Sequence, residues 1–301
     1  MSEVPGCPRI GVVGVPDGWS TRRLAAAVEA RTGCCHLVDL GEVSFDLAEG
    51  TVLAGGVDLG TLDAVIVKKL GPSYRRELLD RLEILHFLEQ RRGVRVFSRP
   101  AAIMRLLDRL SCTVTLRIGG IPMPETVITE DLALATEAVT RFGTAVLKPL
   151  FTSKARGMEL VETGPDAGAR IEAFRQAGNS VLYIQRMVPI PGSDLGVVFL
   201  GGEYLACYAR ETGGSSWNTA VRSGGRYRSH EPSPEIIELA RRAQGLFGLD
   251  FTCVDVVESP TGPLVFEVSA FGGFRGLKES GGLDAADHYA GYVLRKLGHD
   301  G

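Results

Sequence analysis

Residues 252–270 read TCVDVVESPTGPLVFEVSA, two β-rich runs separated by turn chemistry. With the turn at residues 259–263, Glu258 faces Leu264, and counting back along an antiparallel pair sets Asp255 opposite Glu267. Cross-strand partners stand about 5 Å apart at Cβ. Two carboxylates at that distance repel unless a cation, a shared proton or bulk water relieves them. A divalent metal is one solution, and a hairpin with a wet outer face is the other. Alternation adds Ser269 to the face of Glu267 and turns Leu264, Phe266 and Val268 toward a core.

Upstream of this hairpin, Ser233 and Pro234 open a helix that stops at Gly248. Before it, residues 195–200 and 204–209 form a second hairpin joined through Gly201 and Gly202. Between the two, the Gly/Ser-rich stretch from Gly213 to Gly225 reads as a functional loop. From Thr144 the chain alternates short strands, glycine turns and one helix, which suits an α+β unit. Thr129 is placed to cap the helix that follows it, and a helix from Ala101 carries Ile103, Leu106, Leu107 and Leu110. The first hundred residues are different. Strands at 10–15, 38–40, 64–67 and 94–97 alternate with helices at 21–30, capped by Ser20, and from Ser73 to Gly93, where Leu78, Leu82 and Leu85 share a stripe. That is a small parallel α/β domain ending near Pro100. Downstream of the hairpin, FGGFRGLK (271–278) reads as a link or closing loop with Arg275 as an anion contact, and a last helix covers 284–297.

Composition sets the class. The 301 residues are 45% apolar, enough for a sizeable core in two domains or three small ones. A net charge of -3 gives no general attraction to nucleic acid or anionic membrane. The six cysteines form no CxxC pair and the five histidines are scattered, so zinc spacing is absent and free thiols in a reducing compartment are expected. The first residues carry no basic segment followed by an apolar run, which points to the cytoplasm.

Lys148 lies inside the apolar run AVLKPL, where a lysine loses hydration unless an anion compensates it. A nucleotide phosphate would serve; a lysine at a sheet edge with its ammonium in water is the alternative. The loop FTSKARGM (151–158) offers Thr152, Ser153, Lys154, Arg156 and Gly157, the ingredients of a phosphate cradle or equally of a solvated turn. Arg210, Arg222, Arg226 and Arg228 cluster around Trp217 and Asn218, giving planar donors for carboxylates or phosphates. No GxGxxG, GxxxxGK[ST] or GxSxG motif is present.

Taken in order, Asp108-Arg109, VLKPL, the loop at 152–158, YIQRM, Asp194, Trp217-Asn218, CVDVV and FEVSA resemble the ATP-grasp fold, and within it the RimK-like carboxylate–amine ligases. The chain also looks like the ATP-grasp members of a so-called GAK gene system. The resemblance implies an ATP-grasp fold spanning 101–187 (central part) and 188–301 (C-terminal part with the metal site), behind a pre-ATP-grasp α/β domain at 1–100. It implies ATP and Mg²⁺, with Mn²⁺ as an alternative ion. By the same similarity Lys148, with Thr152, Ser153 and Gly157, would contact phosphates. Gln185, Arg186 and Met187 would lie beside adenine and Asp194 near the ribose. Asp255, Glu267 and Ser269 would hold the metal, while Arg210, Asn218 and Arg222 would face phosphate or a substrate carboxylate. The expected partners are small-molecule or peptide acids and amines, without nucleic acid or membrane and with a homo-oligomer left open. An ATP-grasp kinase and a nucleotide-binding regulatory protein without turnover are the alternatives. Five departures stand out: Arg109 where a lysine is usual, one glycine in the phosphate loop where a Gly-rich run is usual, Arg186 where an acid is usual, Ser269 where an asparagine is usual, and Gly196 where an arginine is usual.

Overall fold

The computed structural model describes residues 6–153, 155–190, 192–211 and 225–299. The first strands and helices are β1 (Ile10–Val13), α1 (Trp19–Thr32), β2 (His36–Val38), β3 (Ser44–Asp46), β4 (Thr51–Ala54), β5 (Val57–Asp58), β6 (Ala64–Val67), α2 (Glu77–Arg91) and β7 (Arg95–Phe97). Apolar β-branched residues in β1 and β6 are buried on both faces, as a helix-covered parallel sheet requires. The sheet is parallel, in the order β2-β1-β6-β7. A separate antiparallel sheet, β3-β4-β5, was not anticipated; its strands are two to four residues long, too short to show periodicity. Helix α1 begins at Trp19, so Ser20 lies inside it and Gly18 is the cap, its carbonyl accepting from the Thr21 and Arg22 amides. Helix α2 starts at Glu77, four residues after Ser73.

The helix expected from Ala101 is two: α3 (Pro100–Leu107) and α4 (Arg109–Ile118). Asp108 breaks it. Its backbone is extended (φ -95°, ψ 118°) and its carboxylate accepts from the Leu110 amide, so it caps α4. Then follow β8 (Thr126–Thr129), α5 (Leu132–Phe142), β9 (Thr144–Leu147), β10 (Glu159–Glu162), α6 (Ala167–Gln176) and β11 (Leu182–Arg186). Asp131, not Thr129, caps α5. The second sheet runs β10-β9-β11-β8, which makes β9, leading to Lys148, an interior strand and removes the sheet-edge reading of that lysine.

The third sheet is built from β12 (Ser193–Leu200), β13 (Glu203–Glu211), β14 (Arg226–Ser229), β15 (Phe251–Ser259) and β16 (Gly262–Ser269), in the order β14-β13-β12-β15-β16. Helices α7 (Pro234–Gly245), α8 (Phe274–Gly281) and α9 (Ala285–Lys296) pack around it. Ser233 caps α7 as expected. The FGGFRGLK segment is largely helical: α8 forms despite its glycines, because Phe274 and Leu277 are buried against the sheet.

The first and third sheets are not independent bodies. One apolar cluster joins Ile10, Val12 and Leu24 to Val198, Phe251, Tyr289 and Val293. Lys68, just past β6, lies 2% exposed and donates from Nζ to the carbonyl oxygen of Phe271 at 2.8 Å. It thereby ties the first sheet to the glycine turn before α8.

Candidate active site

Hairpin β15–β16 sets Asp255 opposite Glu267, as alternation predicted, but by a different route. The turn is tighter than expected: Ser259 pairs with Gly262 and Glu258 with Pro263. A bulge then adds Phe266 as an extra residue on β16, and the pairing returns to Asp255–Glu267 and Cys253–Ser269. The faces change accordingly. Val265 and Val268 take the core at 0% and 3% exposure, while Phe266, expected in the core, is half-buried and lines the cavity. The cause is packing, since a two-residue step would otherwise leave one of the two valines in water.

That cavity, about 560 Å³, lies between the second and third sheets and the first. Lys148, Ser153, Gln185, Arg186, Met187, Asp194, Arg210, Asp255, Glu267 and Ser269 all line it. Thr152 lines a small adjoining pocket instead, and Gly157 lies in neither, its positive φ of 65° forming the turn below Pro149. Lys154, Trp217, Asn218 and Arg222 fall outside the described residues.

Each acid has an arginine. Arg109, 9% exposed, donates from Nη1 to Glu267 Oε2 at 3.1 Å, and its Nε and Nη2 reach the carbonyls of Pro149 and Thr152 at 3.1 and 3.4 Å. Arg210 grips Asp194 with both Nε and Nη2 and lies 3.0 Å from Asp255 Oδ1. Burial raises the Asp255 pKa; Arg210 opposes that rise, and Glu267 adds to it. Asp194 is thus held by Arg210, and Arg210 bridges acids, where it was expected to face phosphate or a substrate carboxylate. Among described residues no group of three or more His, Cys, Asp or Glu side chains could hold a metal. Two hard carboxylate oxygens facing one cavity suit Mg²⁺, which takes one or two carboxylates and completes its octahedron with water and phosphate. Ser269 Oγ accepts from the Phe271 amide at 3.3 Å and keeps a lone pair for such an ion.

Lys148 donates from Nζ to Gln185 Oε1 at 2.5 Å, and Gln185 Nε2 donates in turn to Thr126 Oγ1 at 3.1 Å. Burial, helped by Arg109 and partly opposed by Glu267, lowers the Lys148 pKa to about 7. Arg186, which also lines the cavity, pairs through Nε with Glu125 at 2.9 Å.

Sequence reasoning missed Arg109 as a partner of Glu267 and missed Tyr208, Tyr227 and Trp19 as lining residues. Arg109 had one signal, its place after a capping aspartate beside an apolar stripe; the rings had none short of the fold.

A family model described as the RimK-like ATP-grasp domain matches residues 107–293. A tetrahydromethanopterin:α-L-glutamate ligase of Methanosarcina acetivorans is 27% identical, over 94% of this chain and 97% of its own length. A probable α-L-glutamate ligase of Aeromonas salmonicida is 28% identical, over 90% and 91%. Among solved structures, the ATP-grasp ligase PsnB in complex with a minimal precursor superposes with a TM-score of 0.74 at 20% identity, covering 96% of this chain and 99% of that one. A RimK-domain ATP-grasp protein of Sphaerobacter thermophilus gives 0.73 at 24% identity, covering 95% and 99%. At such identities these likenesses show the fold.

Proposed function

The chain belongs to the RimK-like ATP-grasp family and is an ATP-dependent carboxylate–amine ligase, and we propose from that premise which residues do the work. Residues 1–100 serve as the pre-ATP-grasp part, 101–187 as the nucleotide-gripping part and 188–301 as the part that presents the acids. Lys148 and Ser153 hold phosphate oxygens, and the backbone of residues 185–187 lies along adenine. Asp255 and Glu267, with Ser269 as a weaker neutral donor, would hold Mg²⁺, which when bound would supply charge neutralisation for phosphate. Arg109 keeps Glu267 and the loop after Lys148 in one frame, because a single guanidinium bonds both.

In the reaction an acid's oxygen attacks the γ-phosphorus, the bond to the bridging oxygen breaks and ADP leaves. The amine then attacks the acyl carbon, and phosphate departs carrying the amine's proton. Such transfer needs positioning and charge neutralisation more than a protein nucleophile, and lysine, two arginines and two acids around one cavity supply both. The amine is an amino acid, as the names of the glutamate-ligase relatives suggest.

The observation that carries this reading is the registered Asp255–Glu267 pair facing the same cavity as Lys148. Binding of a non-hydrolysable ATP analogue, titrated with and without Mg²⁺, tests it. Wild-type affinity is expected to rise at least about ten-fold with Mg²⁺, or about 1.4 kcal/mol, and Glu267→Gln to lose that gain with an unchanged circular-dichroism spectrum. An equal gain in the variant overturns the assignment.

A further inference from the structure

The two ends of the cavity differ in chemistry. Lys148, Gln185 and Met187 mark one. At the other, beyond Asp255, four elements meet: Trp19 at the start of α1, Tyr208 on β13, Tyr227 on β14 and Arg275 on α8. Tyr208 and Tyr227 meet edge to face at 5.4 Å, and the Arg275 guanidinium stands 5.6 Å over the Trp19 ring. Tyr208 is 3% exposed, its hydroxyl 3.4 Å from Cys253 Sγ. Two glycines make room for its ring: a Cβ on Gly196 would stand 2.3 Å from its Cζ, and one on Gly276 2.5 Å. Gly196 is where relatives were expected to carry an arginine, so here the space is given to a ring. Tyr208 is a fixed backing that orients Tyr227, which is half-buried, while Trp19 is 40% exposed.

Aromatic faces gain little from an acidic side chain and about 0.5–1.5 kcal/mol from another ring. Every amino acid has a carboxylate for Arg275, which lines the cavity, so that contact alone does not tell one amino acid from another, whereas a ring meets the aromatic faces. We infer that the amine substrate is an aromatic amino acid, its ring lying against Tyr227 and Trp19 and its carboxylate directed to Arg275. This rests on the ligase reading above and differs from the glutamate named for the relatives. Tyr227 and Trp19 become specificity-determining residues, and Tyr208 a positioning residue that acts through Tyr227.

The test is calorimetric titration of the full chain, first with the ATP analogue and Mg²⁺ and then, in the saturated complex, with L-phenylalanine, L-leucine and L-glutamate. L-phenylalanine is expected to bind about ten-fold more tightly than either competitor. Tyr227→Ala is expected to bring phenylalanine down to the level of leucine and leave leucine unchanged, while Tyr227→Phe keeps the preference; equal losses for both amino acids in Tyr227→Ala would mark the ring as merely structural and overturn the inference. If the analogue does not bind wild type, the ligase reading and this inference fall together. If it binds and glutamate is the tighter ligand, or the three amino acids bind alike or not at all, this inference alone is overturned.

Discussion

Lys68 and Lys148 are both sunk in the protein, and burial drives both ammonium groups down to about 7, yet their surroundings are opposite in kind. Lys68 is closed in: its Nζ meets the Phe271 carbonyl, lies 4.0 Å from the Phe274 ring centroid and 5.8 Å from that of Phe251. Lys148 looks into the cavity, with an amide oxygen on one side, Phe266 5.3 Å away and Arg109 adding like charge. The electrostatic deficit of Lys68 is met from within by a carbonyl dipole and two ring faces. That of Lys148 is only partly met, and an incoming anion would complete it. Desolvation therefore does not mark a functional lysine; an uncovered approach to it does.

The widest separation between the two should appear in nucleotide affinity. Lys148→Met is expected to weaken the ATP analogue by about 100-fold, the loss of a charge-assisted phosphate contact worth roughly 2–3 kcal/mol. Lys68→Met should stay within about three-fold, and matching losses measured by calorimetry would break the comparison. A smaller effect concerns protons. A phosphate beside Lys148 favours its charged form, so binding at pH 8 should draw about one proton from solution in wild type and none in Lys148→Met. Titrations in buffers of different ionisation enthalpy read this directly, and uptake that persists in the variant assigns the proton elsewhere.

A third effect, modest at each pH step, is on stability. Unfolded lysines keep their protons to about 10.4, whereas these two release theirs near 7 when folded. Stability thus rises with pH through that window, and the gain is absent below 7, where both states are charged. Lys68→Met should remove part of the slope, roughly 1 kcal/mol per pH unit between 7 and 10, as followed by urea melts. An unchanged slope would mean that Lys68 is not buried as a neutral group.

Much of this arrangement was legible in the chain. Alternation in β15 and β16 put Asp255 and Glu267 on one face, glycine pairs marked the β12–β13 turn, and an apolar run around Lys148 marked its burial. The bulge at Phe266 was not, because only the burial of both Val265 and Val268 demands it. Nor was α8, whose glycines argue against helix and whose stability comes from the sheet beneath Phe274 and Leu277. Arg109 and Glu267 are 158 residues apart, and no local pattern joins them.

The ring clasped between Gly196 and Gly276 also fixes the order in which the site can be redesigned. A longer side chain at either glycine has nowhere to go while residue 208 is a tyrosine, so single replacements there are blocked until the ring is first cut back. A lineage or an engineer moving toward an acidic amino acid would have to pass first through a small residue at 208, and only then could either glycine be replaced.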